Sequence, residues 1–279
     1  MYIHLGIGSF KELDYFLNQK NPPQEFYAGI SKIPSHVEGA PNFEDESEII
    51  KAASIARSEK RKFFFVANEI TSSNDSTIET IKILNENSID GFIIKDLTLL
   101  KKLKENKIKT YIILSTLTNI TNARAALFYK KNYSINRIAL AEQLFGIEAK
   151  KIIKLIDTEI FLKHRESCRN FNGLCFLDCH RADSTPCLKK YSKHFIMPQI
   201  SEEKNLRDLY NFIRWGTRTI KIGRSPLYQL TNLLFFEART LIELIKNSKN
   251  EEEFVKYALK FTKEYSKVYK KFTPRYGVF

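Results

Sequence analysis

Cysteine is missing from almost all of this 279-residue chain: outside residues 164–193 there is none. Long apolar runs are missing as well. No stretch of eighteen apolar residues occurs, so no transmembrane helix is expected. Proline (8) and glycine (10) are sparse and never gather into a linker. That argues for one large domain over residues 1–279 rather than several small ones. The opening MYIHLGIG has neither the basic nor the long apolar region of a secretion signal. With the thiols clustered, a reducing cytoplasmic setting is the expectation. Two hydrolase signatures are absent: there is no H-E-x-x-H zinc-protease helix and no G-x-S-x-G nucleophile elbow.

Acidic residues are also in short supply. Lys and Arg number 45 against 32 Asp and Glu, a net charge of +13. The imbalance is uneven: residues 1–50 hold three lysines and eight acids, while residues 101–170 hold fifteen bases and six acids, a local +9. A basic segment of this kind suits RNA, an acidic protein or an anionic membrane face. Lysine-rich helix faces are, however, ordinarily just solvated.

What is present is concentrated. Residues 164–193 read HRESCRNFNGLCFLDCHRADSTPCLKKYSK and contain Cys168, Cys175, Cys179 and Cys187 in a C-x6-C-x3-C-x7-C spacing. Three readings fit. A [4Fe–4S] cluster takes four thiolates at irregular spacing. A structural zinc takes four thiolates as well, usually through two tight hooks, and only Cys175–Cys179 forms one. Disulfides need an oxidising compartment. His164, His180 and His194 flank the stretch as occasional ligands or ordinary loop histidines.

The rest alternates strand with helix. Apolar, β-branched and aromatic runs at 2–7, 26–30, 61–67, 90–94, 110–115, 137–141, 158–162, 194–197 and 218–222 predict strands. Helical periodicity covers 10–18, 46–58, 76–87, 97–106, 122–131, 147–156, 201–215, 227–246 and 251–270. Eight or nine buried strands separated by helices predict an α/β fold, a (β/α)8 TIM-barrel-like single domain. Residues 164–193 would be a metal-binding insertion near strands seven and eight, and 251–279 a terminal helix and tail. The aromatic, basic piece 261–279 is expected to close the barrel bottom or to dock on a partner.

In such barrels the site lies at the C-terminal ends of the strands. That nominates Asn68, Glu69, Lys95, Asp96, Ser115, Thr116, Glu142, Gln143, His164, Gln199, Gly223 and Arg224. Each also suits ordinary duty as a helix cap or rim residue.

Several pieces together resemble peptidase family U32, the collagenase-like group. They are GAPNFEDES at 39–47, RKFFFVANE at 61–69, STLTNITNARAALFY at 115–129 and RIALAEQL at 137–144. Further along come the C-x6-C with GLC at 173–175, CHR at 179–181 and KIGR at 221–224. They follow the family's order over about residues 25–240. Two departures stand out: the glutamate of the family's K-I-E-G-R is missing before Gly223, and its Arg–Glu pair after L-A is Glu142–Gln143 here.

The resemblance implies a [4Fe–4S] cluster on the four cysteines, with zinc as the alternative. It also implies an oxygen-independent hydroxylase, or its cluster-carrying subunit, acting on an aromatic ring or RNA base as in RNA modification and ubiquinone synthesis. Alternatives are a U32-type peptidase or hydrolase, with Cys168 and His164 as a nucleophile pair, or a non-catalytic module with a structural metal. Implied partners are RNA or an acidic protein at 101–170, or a second U32 protein in a heterodimer. Within this reading Asn42, Asn68, Asn119 and Asn122 bind substrate, Arg181 and Arg224 clamp a carboxylate or phosphate, and Glu142 serves as acid or base.

Overall fold

The structure, a computed structural model, describes residues 1–33, 41–68, 75–141, 144–162, 201–223 and 228–272. Eight parallel strands close into a barrel in sequence order. They are β1 (Tyr2–Gly6), β2 (Glu25–Ala28), β3 (Lys62–Ala67), β4 (Gly91–Ile94), β5 (Ile112–Leu114), β6 (Arg137–Ala139), β7 (Asp157–Phe161) and β8 (Thr219–Ile222). The barrel shuts where β8 pairs with β1, His4 opposite Lys221. β7 pairs directly with β8, Glu159 opposite Thr219. The run at 194–197, read from sequence as a strand, lies outside the described residues.

Helices α1 (Phe10–Leu17), α2 (Glu46–Ser58), α3 (Asp75–Glu86), α4 (Leu97–Glu105), α5 (Ala123–Tyr133) and α6 (Gly146–Leu155) each return the chain to the start of the next strand. After β7 the chain passes through 163–200 to α7 (Glu202–Trp215), then β8, α8 (Tyr228–Asn247) and α9 (Glu251–Phe272). Helix starts follow their caps. Ser9 Oγ accepts from the Glu12 amide, Asp45 from Glu48, Asp96 from Thr98 and Ser201 from Lys204, each satisfying an amide the first turn leaves open. Among the described residues, α9 packs on the outer helices α7 and α8. Phe254 stacks on Tyr210 of α7, and the Tyr265 hydroxyl donates to the Leu233 carbonyl of α8 at 2.8 Å. Residues 273–279 lie outside the described residues.

Strand side chains alternate between two apolar regions. Phe26, Phe63, Phe65, Phe92, Ile94 and Leu114 belong to the large core between sheet and helices. Their neighbours Tyr27, Phe64, Val66, Ile93 and Ile113 form a separate cluster with Tyr111. Period-two alternation assigns that second cluster to the barrel interior. Gly91 belongs to the same lining, because a Cβ there would sit 2.4 Å from the Tyr111 carbonyl oxygen.

Candidate functional site

The apolar cluster fills only the β2–β5 side of the interior. The other side is charged. His4 on β1, Glu25 on β2, Arg137 on β6, Glu159 on β7 and Lys221 on β8 are all buried. Each interleaves with outward-facing apolar neighbours, and each is fixed by a specific partner. Arg137 grips Glu25 with two parallel bonds, Nη1 to Oε2 at 2.5 Å and Nη2 to Oε1 at 3.0 Å. The same guanidinium reaches Glu159 Oε2 at 3.3 Å and, through Nε, Asp157 at 2.9 Å. Glu159 holds His4 Nδ1 at 2.8 Å and the Lys221 ammonium at 3.1 Å. Lys221 also lies over the Tyr27 ring at 4.5 Å and near Phe161 at 5.6 Å.

Burial alone would raise the Glu159 carboxyl, but Lys221, His4 and Arg137 together hold it well below the ordinary carboxylate range. Burial likewise opposes the charge on Arg137, yet Glu25 and Glu159 push its affinity for the proton further up. Burial raises the Tyr111 phenol, with Arg137 working against the shift.

Strand position gives the network its direction. Glu25, Arg137 and Asp157 open their strands, at the barrel floor, while His4, Glu159 and Lys221 lie mid-strand. The network thus rises from the floor, with Lys221 on the mouthward side beneath Phe161 and Gly223; a Cβ on Gly223 would lie 3.6 Å from Phe161 Cε1. Glu25, Glu159 and His4 bring three ligating atoms within 4.8 Å of one another. They do not make a cation site. Arg137 Nη1 already bonds both Glu25 Oε2 and Glu159 Oε2, so a divalent ion would meet a guanidinium in its place and an ammonium beside it.

Among the described residues, the ends of β3 and β5 carry neutral polar groups. Asn68, at the end of β3, is buried, and its Oδ1 has no partner among the described residues. Ser115 and Thr116 follow β5; the Ser115 hydroxyl caps a single 3-10 turn at Thr116–Thr118, and Thr116 donates to the Leu140 carbonyl at 3.0 Å. Thr118 donates to the Lys95 carbonyl at 3.1 Å. Asn119 ends that turn with φ 56°, and its Oδ1 is also buried without a partner. Asn42 lies beside Phe43, whose bridge to Ile30 ties the loop before α2 to the end of β2. Gly8 lets that loop approach, since a Cβ there would collide with the Pro41 carbonyl at 1.9 Å.

Two nominated residues turn out to be caps: Asp96 accepts from Thr98 at 2.9 Å and Asn122 from Ala125 at 2.9 Å. Asn122→Ala is expected to cost about 1 kcal/mol in denaturant unfolding, as cap loss does, and to leave ligand affinity unchanged. A drop in affinity without a drop in stability would return Asn122 to the binding site. Glu142, Gln143, Arg181, Arg224, Glu69, Gln199, the three flanking histidines and all four cysteines lie outside the described residues.

The charged interior escaped the sequence reading. Its signal was there: Asp157, Glu159 and Lys221 interrupt strands that are buried on both faces, where parallel strands are normally apolar throughout.

Three comparisons bear on identity. No protein of curated function matches the sequence. Among solved structures, the U32 peptidase Mk0906 is similar with a TM-score of 0.51 at 12% identity, over 81% of this chain and 94% of that one. The YdjI aldolase of Escherichia coli K12 is similar with a TM-score of 0.45 at 12% identity, over 94% of this chain and 90% of that one. The likeness to Mk0906, at 12% identity, speaks for the barrel alone. The sequence model of peptidase family U32 matches residues 8–223, which span β2 to β8, and the chain belongs to that family.

Proposed function

We propose that this barrel is an iron–sulfur-dependent, oxygen-independent hydroxylase, or the cluster-carrying subunit of one, acting on an aromatic ring or RNA base. One observation carries the reading. All four cysteines of the chain fall on the segment that leaves the mouth after β7 and returns at Ser201, the cap of α7. In a barrel of this hand, strand ends and the starts of the following helices share one rim, so both ends of the segment are tethered over the mouth. Four thiols from one loop suit a [4Fe–4S] cluster by donor chemistry, with Cys168, Cys175, Cys179 and Cys187 as its ligands. Such a group supplies electron transfer beside the substrate.

The chain's own residues do the positioning. Asn68 and Asn119 offer buried, unspent amide oxygens to a ring N–H or O–H. Lys221 is held under the mouth by Glu159, which in turn is held by His4 and Arg137. Arg181 and Arg224 are assigned to a substrate carboxylate or phosphate, and Glu142 to proton transfer.

Protein purified without oxygen is expected to contain about four irons and matching acid-labile sulfide per chain, with broad visible absorption. Stoichiometric zinc in colourless protein would end the cluster reading and leave a structural metal. Turnover by the isolated chain separates enzyme from subunit.

A further inference from the structure

One outer helix has the wrong surface for water. α5 buries only Ala126 completely. Its outward row is Arg124, Leu127, Phe128 and Lys131, all exposed and spaced i, i+3, i+4, i+7 along one face. Leu127 is 36% and Phe128 48% exposed. Phe128 continues into Tyr129 and Tyr133, with ring centroids 5.5 and 6.0 Å away. A solvated face would carry polar groups there; this one carries an apolar centre with a cation at each end.

The surroundings are basic. α4, α5 and α6 each carry three lysines or arginines, and among them only two acids, Glu105 and Glu148. Both acids are engaged, Glu105 with Lys101 at 3.8 Å and Glu148 with Lys151 at 2.6 Å and with the Ala123 amide at the start of α5 at 3.1 Å. α5 itself has no acid. A second copy of α5 would set cation against cation, which disfavours a symmetric dimer through this face.

We propose that the α5 face is a peripheral docking surface for an anionic lipid bilayer. Leu127 and Phe128 enter the headgroup–acyl boundary, while Arg124 and Lys131 reach the phosphates around them. Ring geometry favours lipid over nucleic acid. Phe128 meets Tyr129 at 88° and Tyr133 at 65°, edge against face, which builds a ridge rather than the flat platform on which bases stack. Leu127 has no π-face to offer a base at all. The surface lies on the outer helix layer, and its role is independent of the chemistry proposed at the mouth.

The test is sedimentation of the full chain with vesicles of pure phosphatidylcholine or of phosphatidylcholine mixed with phosphatidylglycerol. Binding is expected only to the mixed vesicles and is expected to weaken with salt. Leu127→Gln with Phe128→Gln should lower partitioning at least about tenfold through lost apolar burial. Arg124→Glu with Lys131→Glu should lower it further, at about fivefold per cation removed. All four positions are exposed, so the fold should survive, as circular dichroism will report. Equal binding to both vesicles, or binding that neither variant weakens, overturns the proposal. So does an effect of the variants confined to a single-stranded RNA oligonucleotide or to self-association.

Discussion

Glu159→Gln is expected to destabilise the barrel by about 3–5 kcal/mol in denaturant unfolding, the usual cost of removing one partner from a buried ion network. The reason is local. Glu159 is fully buried and touches Lys221, His4 and Arg137 at once. A neutral amide would leave the Lys221 ammonium desolvated, with an amide oxygen and aromatic rings beside it but no bonded carboxylate. The pH dependence follows from the direction of the shift. The folded carboxyl is held well below its ordinary value, so the unfolded chain takes up the proton first as pH falls. Its stabilising contribution is therefore complete above the unfolded carboxylate range, near pH 4–5, and is lost progressively below it. Glu159→Gln should flatten that acid limb. Lys221→Met added to Glu159→Gln should recover part of the loss, because it removes the buried ammonium left without a counter-charge. A loss below about 1 kcal/mol for Glu159→Gln alone would show that water reaches this part of the barrel and that the network does not set its stability.

The same residues mark where sequence reading stopped. The staves were legible because segments such as FFFVA and GFII are β-branched or aromatic and bounded by polar turns. α2 was legible to the residue, at 46–58, because Asp45 caps it and Ile49, Ala52, Ala53 and Ala56 repeat on one face. α5 was found, but only Ala126 is fully buried and Leu127 and Phe128 look outward, so hydrophobicity alone does not mark its inner face. The inner charges were harder still. A lone His4 in YIHLG or Lys221 in TIKI scores as noise within a short strand, and its partners lie up to 155 residues away in the case of Glu159 and His4. Only barrel closure, which sets β8 beside β1, makes them one network. At the mouth the position of Asn68 at the end of β3 was readable, whereas its unspent Oδ1 was not. Asn122 and Asp96, by contrast, were readable as caps from the residue type and the helix that follows.

Cys175→Ala separates the segment between β7 and α7 from the barrel that carries it. Anaerobically purified variant is expected to lose its visible absorption and most of its iron, since a four-thiolate cube tolerates the loss of a ligand poorly. Its thermal midpoint should move little. The barrel supplies the physical reason. Every stave has two strand neighbours, including the direct β7–β8 pairing across the point where residues 163–200 are inserted. The helix that resumes the fold at Glu202 has its own cap in Ser201. α7 is further secured to α9 through Arg207, which bonds Glu203, Glu251 and Glu252, and through the stacking of Tyr210 on Phe254. None of these contacts uses a cysteine. Metal analysis and a melting curve on the same sample therefore read two separate things. Iron retained in the variant would remove Cys175 from the ligand set. Iron lost together with a melting point lowered by tens of degrees would mean that the cluster holds the barrel closed, and the insertion would then be part of the core rather than a reactive group carried above it.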